Sequence, residues 1–207
     1  MSFPLDRIVL ATNNKHKVTE IKSILKKAGL SLKVLTLADF PKRKPVVENK
    51  KTIEGNAKKK AIEVAKQTRC LSLSDDTGLF IDALKGAPGV YSARFAGPGC
   101  SFQDNNEKVL KKLNKTPFQK RTASFRCVAA LATPSGKTIL AKGEIRGFIA
   151  ENISGRQGFG YDPVFWVPQY KKTFAEMSAS LKNKISHRAL AFKQIPKNVR
   201  ELFKNLN

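Results

Sequence analysis

Acidic residues are scarce in this chain: 16 Asp plus Glu stand against 39 Lys plus Arg in 207 residues, a formal charge of +23. Cysteine, histidine and tryptophan are scarcer still, at three, two and one. Cys70, Cys100 and Cys127 are odd in number and have no CxxC spacing. That excludes a disulfide framework or a zinc ribbon and points to a reducing, cytoplasmic setting. His16 and His187 are too few and too far apart for a histidine metal centre. Long hydrophobic runs are missing too. The longest uncharged stretch, residues 127–136, is far shorter than the ~18 residues of a membrane span. Near the start, Asp6 interrupts an apolar stretch confined to residues 8–11, so no signal peptide is expected.

What is present requires burial. Thirteen Phe and a hydrophobic share of 41% exclude a mainly disordered chain. The length suits one large domain or two small lobes. The positive charge suggests a polyanionic partner, either nucleic acid, attracted without sequence preference, or a small phosphorylated ligand. Lysine outnumbers arginine 29 to 10, and much of it lies in helical stretches such as Lys58-Lys59-Lys60. That composition also fits a merely solvated surface, because phosphate-reading surfaces favour the planar arginine fork.

Residues 7–12 read as a buried strand, 17–28 as an amphipathic helix closed by Gly29, and 33–37 as a second strand. Thr52 caps a helix to Thr68, followed by a strand at 71–74. Ser101 caps another helix to Leu113, and 121–133 with 138–149 form a hairpin. A C-terminal helix is expected over 186–205, broken at Pro196. No linker or repeat divides the chain. The expected fold is α/β: an elongated mixed β-sheet flanked by helices, with two lobes and a central substrate cleft.

Three apparent motifs fail on context. Gly136-Lys137-Thr138 lacks the earlier Walker A glycine, since Leu131 stands there. Gly158-Phe159-Gly160 runs into Asp162-Pro163, not a helix. Ser186 beside His187 comes with no GxSxG elbow.

Other segments fit phosphate chemistry better. The loop Thr12-Asn13-Asn14-Lys15-His16-Lys17 precedes a helix, whose N-terminus favours anions, although such loops are commonly polar. Asp75 and Asp76 are placed at a strand end, before Gly78. Adjacent carboxylates repel, so they suit either a hard cation such as Mg2+ and acid–base work or an Asx turn. Glu48 precedes a helix on which Asn56 and Lys60, four apart, share a face; both also read as ordinary solvated positions. Gly158 and Gly160 flank Phe159, which can offer a ring for base stacking or simply pack in a turn. Arg188 suits the O6/N7 edge of a 6-oxo purine, and the alternative there is a helix start capped by Ser186.

Five segments in order, ATNNKHKVTE, ENKKTIEGNAKKKA, SDDTGLFIDALKGAPGVYSARFAG, GFGYDPVF and KNKISHR, make the chain resemble the inosine/xanthosine triphosphate pyrophosphatase family. The resemblance runs from Val9 to about Arg188 and implies a single domain over 1–207. It implies Mg2+-dependent hydrolysis of ITP, dITP or XTP to the monophosphate and pyrophosphate by a cytoplasmic homodimer, with no membrane and no specific nucleic acid as partner. Thr12, Asn13, Asn14, Lys15, His16 and Lys17 become the phosphate loop, and Glu48 and Asp76 the Mg2+ ligands. Asp76 is also the proton acceptor, with Thr77 touching substrate. Phe159, Gly160, Tyr161 and Asp162 cover the nucleotide, while Lys182, His187 and Arg188 contact base and phosphate. Whether Asp76, Asp75 or a Mg2+-bound hydroxide is the base stays open at this level. So do two alternatives, a related enzyme for pyrimidine or modified nucleotides and a basic nucleic-acid-binding protein.

Overall fold

The computed structural model of the chain describes residues 4–204. They divide into two compact units. The first comprises the segment up to Asp76, Cys127–Gly143 and the segment from Arg188 onward; the second comprises Thr77–Arg126 and Glu144–His187.

In the first unit, β1 (Arg7–Leu10) pairs in parallel with β2 (Lys33–Thr36) and with β3 (Leu71–Ile81). Parts of β5 (Thr122–Ala132) and β6 (Thr138–Ile149) extend the order to β2-β1-β3-β5-β6. Strand alternation sorts the side chains. Ile8, Leu10, Leu71 and Leu73 pack with Ile21, Ile24 and Leu25 of α1 (Lys15–Lys27). The same cluster takes in Phe192 of α5 (His187–Phe192) and Ile195 of α6 (Ile195–Lys204). Val9 and Ala11 pack with Val64 of α2 (Ile53–Thr68). Both faces are therefore covered, which is why β1 is apolar from Ile8 to Leu10.

The second unit holds the remaining parts of β3, β5 and β6, with β4 (Pro88–Gly89) beside β3 and β7 (Phe165–Val167) and β8 (Lys172–Thr173) beyond β6. Leu79, Ile81, Phe125, Ile149 and Phe165 form its core with Val109 and Leu113 of α3 (Phe102–Leu113). Buried Arg121 donates to the carbonyls of Leu113, Thr116 and Ala150, satisfying the end of α3.

Most expected elements are present, with shifted ends. Asn14, not a later residue, caps α1, its Oδ1 accepting from Lys17 N at 3.2 Å. Thr52 and Ser101 cap α2 and α3 as read from the sequence. The C-terminal helix is interrupted between Phe192 and Ile195, not at Pro196, which sits in the first turn of α6 where its missing N–H is harmless. Asn205, the expected helix end, lies outside the described residues. A short helix, α4 (Ala179–Ile185), was not anticipated. The largest correction concerns β3, which does not end at Ser74. It continues through both aspartates to Ile81, so Asp75 and Asp76 are strand residues and not turn residues.

Gly78 makes that continuation possible. A Cβ there would lie 2.7 Å from the Gly89 carbonyl oxygen and 2.9 Å from the Phe80 ring. Gly78→Ala should lower the urea-unfolding free energy by about 1–3 kcal/mol through overpacking; unchanged stability would mean that β4 yields freely.

Candidate active site

Asp75 and Asp76, being consecutive in β3, project to opposite faces. On the α1 face, the fully buried Asp75 receives the Lys17 ammonium at 2.9 Å and, at 3.4 Å, the Arg188 guanidinium. Arg188 also donates to Glu20 Oε2 at 2.6 Å, and both groups are buried. Burial opposes ionisation of Asp75, but Lys17, Arg188 and Lys60 overcome it and hold the carboxyl well below its ordinary value of 3.8.

On the α2 face, Lys60 donates to Glu48 Oε1 at 3.0 Å. Asn56, buried beside it, accepts from Lys50 N at 2.8 Å and so fixes the backbone that follows Glu48. Ser74 reaches the same helix, donating to the Ala57 carbonyl at 2.6 Å. Burial is the main reason that the Asp76 carboxyl is pushed up to about 6; Lys60 and Lys17 oppose the rise, and Glu48 and Asp75 add to it. Lys60 loses by burial yet is raised overall, because Asp75, Glu48 and Asp76 all favour its ammonium.

The phosphate-loop candidates lie on the same unit. Thr12 Oγ1 accepts from Asn14 N at 3.2 Å, and Asn13 Oδ1 accepts from Arg43 Nη2 at 2.8 Å. Lys15 and His16 are exposed at the start of α1. The helix therefore presents its first N–H groups beside Lys15, a setting suited to an anion. Glu48 and Asp76 supply hard carboxylate oxygens, the donors that Mg2+ prefers. Among the described residues no three His, Cys, Asp or Glu converge as a metal cluster. Two carboxylates still fit Mg2+, which commonly takes one or two from protein and completes its shell with water and substrate phosphate.

The second unit carries the other candidates, Thr77 immediately after Asp76 among them. Lys182 of α4 donates to Asp162 Oδ2 at 2.6 Å, both buried, and the same oxygen accepts from Phe159 N at 2.8 Å. The Lys182 ammonium lies 4.9 Å from the half-buried Phe159 ring centroid. Asn106 of α3 donates to the Gly160 carbonyl at 3.0 Å, and Tyr161 donates to the Ser92 carbonyl at 2.8 Å. His187 is buried and stacked on Phe125 at 4.5 Å. The aromatic loop is thus braced on both sides.

Apart from the loop 12–16, Thr77 and His187, the site candidates read from the sequence fall into three groupings. Lys17, Asp75 and Arg188 meet on one face of β3; Glu48, Asn56, Lys60 and Asp76 gather on the other; Phe159 to Asp162 and Lys182 gather in the second unit. Sequence reasoning passed over Glu20, Arg43 and Asn106. Glu20 left a signal: it sits three residues after Lys17 and beside Ile21, an acid on the apolar face of α1 that needs a cation. Arg43, in an irregular loop, left none.

The Ham1 family profile matches residues 8–198. The chain belongs to the Ham1 family. A dITP/XTP pyrophosphatase of Desulforamulus reducens is 48% identical over 197 residues, covering 95% of this chain and 97% of its own. A dITP/XTP pyrophosphatase of Listeria monocytogenes serotype 4b is 47% identical, with 96% and 97% covered. The solved structure of a HAM1 protein from Coxiella burnetii matches this Ham1-family chain with a TM-score of 0.85 at 38% identity, over 94% of this chain and 98% of that one.

The shifted carboxyls give opposite pH dependences. Folded Asp75 sits below its unfolded value, so its contribution to stability is complete above about pH 4 and lost as pH falls. Unfolding free energies measured in urea should therefore drop on acidification below about pH 4. Asp75→Asn should be less stable than wild type at neutral pH yet show a shallower acid decline; an equally steep decline would assign the acid sensitivity to other carboxylates.

Proposed function

We propose that the chain is an enzyme that hydrolyses non-canonical purine nucleoside triphosphates, dITP, ITP and XTP, to the monophosphate and pyrophosphate, with residues 1–207 acting as one catalytic domain. The observation that carries this reading is the Asp76 carboxyl, raised to about 6 beside Glu48 and Lys60 in a chain of the Ham1 family. The names of the relatives supply the substrate class.

Asp75 is tied to Lys17 and Arg188 and is too weak a base. In the metal-free site Asp76 is deprotonated at neutral pH yet basic enough to accept a proton, as general-base catalysis favours. It orients a water toward the α-phosphorus and takes its proton as the new P–O bond forms. The bond from the α-phosphorus to the bridging oxygen breaks, and that oxygen leaves with the β- and γ-phosphates. Glu48 and Asp76 would hold Mg2+, which when bound neutralises phosphate charge and stabilises the leaving pyrophosphate. The loop Thr12 to Lys17 binds the phosphates, and Lys60 keeps Glu48 in place.

The resemblance assigns Thr77, Phe159, Gly160, Tyr161, Asp162, Lys182, His187 and Arg188 to the nucleotide. The Asp162 link to both Lys182 and Phe159 N supports that assignment, since it fixes a cation and an aromatic ring together. A 6-oxo purine offers O6 and N7 as acceptors to such cations, whereas adenine places a donor at position 6 and leaves them unpaired. The same resemblance supports a homodimer. A cytoplasmic setting fits three free thiols, Cys70, Cys100 and Cys127. No helix among the described residues is long and apolar enough to cross a membrane.

Pyrophosphate release with Mg2+ and a panel of dITP, ITP, XTP, GTP, ATP and dTTP tests the reading directly. The first three should turn over fastest; equal turnover of ATP would remove the base selection. Asp76→Asn should lower kcat by about 100- to 10,000-fold, the usual contribution of a general base. The folded Asp76 pKa is raised, so its contribution to stability is lost as pH rises through about 6. Asp76→Asn should therefore be more stable than wild type in metal-free buffer at pH 8, by about 1–3 kcal/mol. An inactive but destabilised variant would mark Asp76 as structural.

A further inference from the structure

The reading above leaves a shortage of positive charge where the triphosphate would bind. Lys17 and Lys60, two of the cations closest to the aspartate pair, are already held by carboxylates, Lys17 by Asp75 at 2.9 Å and Lys60 by Glu48 at 3.0 Å. A nucleoside triphosphate brings about four negative charges at neutral pH, of which one divalent ion covers about two. Cations without a carboxylate partner are needed for the rest. Among the described residues of the first unit, Lys15 at the start of α1 is one, and Arg43 is another at the same loop.

Arg43 comes from the irregular segment between Phe40 and Glu48, far from residues 12–17 in sequence. Its Nη2 nevertheless donates to Asn13 Oδ1 at 2.8 Å, which places the guanidinium against the loop that leads into α1. Its Nε is buried and has no hydrogen-bond partner among the described residues. An N–H donor on a permanent cation, shielded from solvent and unmatched, is costly unless something anionic completes it. An ammonium would not suit this position as well, because only the guanidinium fork can hold Asn13 with one arm and present further N–H groups in a fixed plane.

The geometry points to Arg43 as a further substrate-binding residue: clipped to Asn13, it supplies charge and N–H donors to the phosphate chain of the nucleotide bound at residues 12–17. The inference rests on the triphosphate reading of that loop. It deepens that reading by adding a residue from a different segment, on the strand-to-helix connection that also carries Glu48.

The experiment compares wild type with Arg43→Ala, Arg43→Gln and Arg43→Lys. Glutamine keeps a neutral N–H for Asn13 but no charge; lysine keeps charge without the fork. With dITP and Mg2+, Arg43→Ala and Arg43→Gln should both raise KM about tenfold or more with a smaller change in kcat, the size expected for one charge-assisted contact. Arg43→Lys should recover part of the loss. Inorganic pyrophosphate binding, followed by calorimetry without turnover, should weaken in the same order, and its dependence on salt should be shallower in Arg43→Ala than in wild type. Wild-type affinity for pyrophosphate in Arg43→Gln would overturn the proposal, leaving Arg43 as a clip for Asn13. The nucleotide-pool reading fails separately: a wild type that binds pyrophosphate in an Arg43-dependent way but releases none from the nucleotide panel keeps this inference and loses that one. Absence of pyrophosphate binding by wild type would overturn the Arg43 proposal outright.

Discussion

Consecutive residues of a β-strand project to opposite faces, and β3 applies that rule to two carboxylates. Asp75 turns toward α1 and α5, where Lys17 and Arg188 neutralise it; Asp76 turns toward α2, where Glu48 and Lys60 stand. The backbone thereby relieves the repulsion that adjacent aspartates would suffer in a turn. It also divides their properties. One carboxyl is driven far below its usual range and the other is pushed up to about 6, although both are buried and they share a peptide bond. Desolvation acts on both in the same direction; at Asp75 the cations Lys17, Arg188 and Lys60 outweigh it, whereas at Asp76 the carboxylates Glu48 and Asp75 add to it.

That separation organises the first unit. Leu71 and Leu73 share a face with Asp75 and belong to the cluster that seats α1 and α5, so the packing that builds the core also delivers Lys17 and Arg188. Ser74 faces α2 with Asp76 and donates to Ala57 O, locking the helix that bears Asn56 and Lys60. Glu20 completes the arrangement from α1: without it, Arg188 would face a single carboxylate, and the charge balance of a buried triad would fail. The second unit follows a parallel logic in its own core. Asp162 holds Lys182 and the Phe159 backbone with one oxygen, while Asn106 and Tyr161 tie down the rest of the loop.

Much of the architecture was legible because it depends on local chemistry. Thr52 and Ser101 are cap residues followed by helical periodicity, and the apolar run over residues 8–11 announces a strand covered on both faces. The extent of β3 was not legible. A sequence of two aspartates, threonine and glycine has poor strand propensity, and what keeps it extended is tertiary: cations from α1, α2 and α5, together with the close approach of Gly89 to Gly78. The identities of the site residues were readable as motifs, yet their partners were not, because Glu20 to Arg188 and Arg43 to Asn13 span chain separations that no spacing encodes.

The large positive charge takes on a different meaning once these pairings are known. Of the cations nearest the aspartates, Lys17, Lys60 and Arg188 are engaged by Asp75, Glu48 and Glu20. The net charge of the chain, +23, therefore overstates the field available to a ligand at this place. The excess sits mainly on exposed lysines of helices and loops, where water and salt screen it and where it acts on the rate of encounter more than on the strength of binding. A site for a phosphate chain needs cations that are close, fixed and not already neutralised. The acids decide which ones qualify: each paired carboxylate removes a cation from the pool while holding it in place.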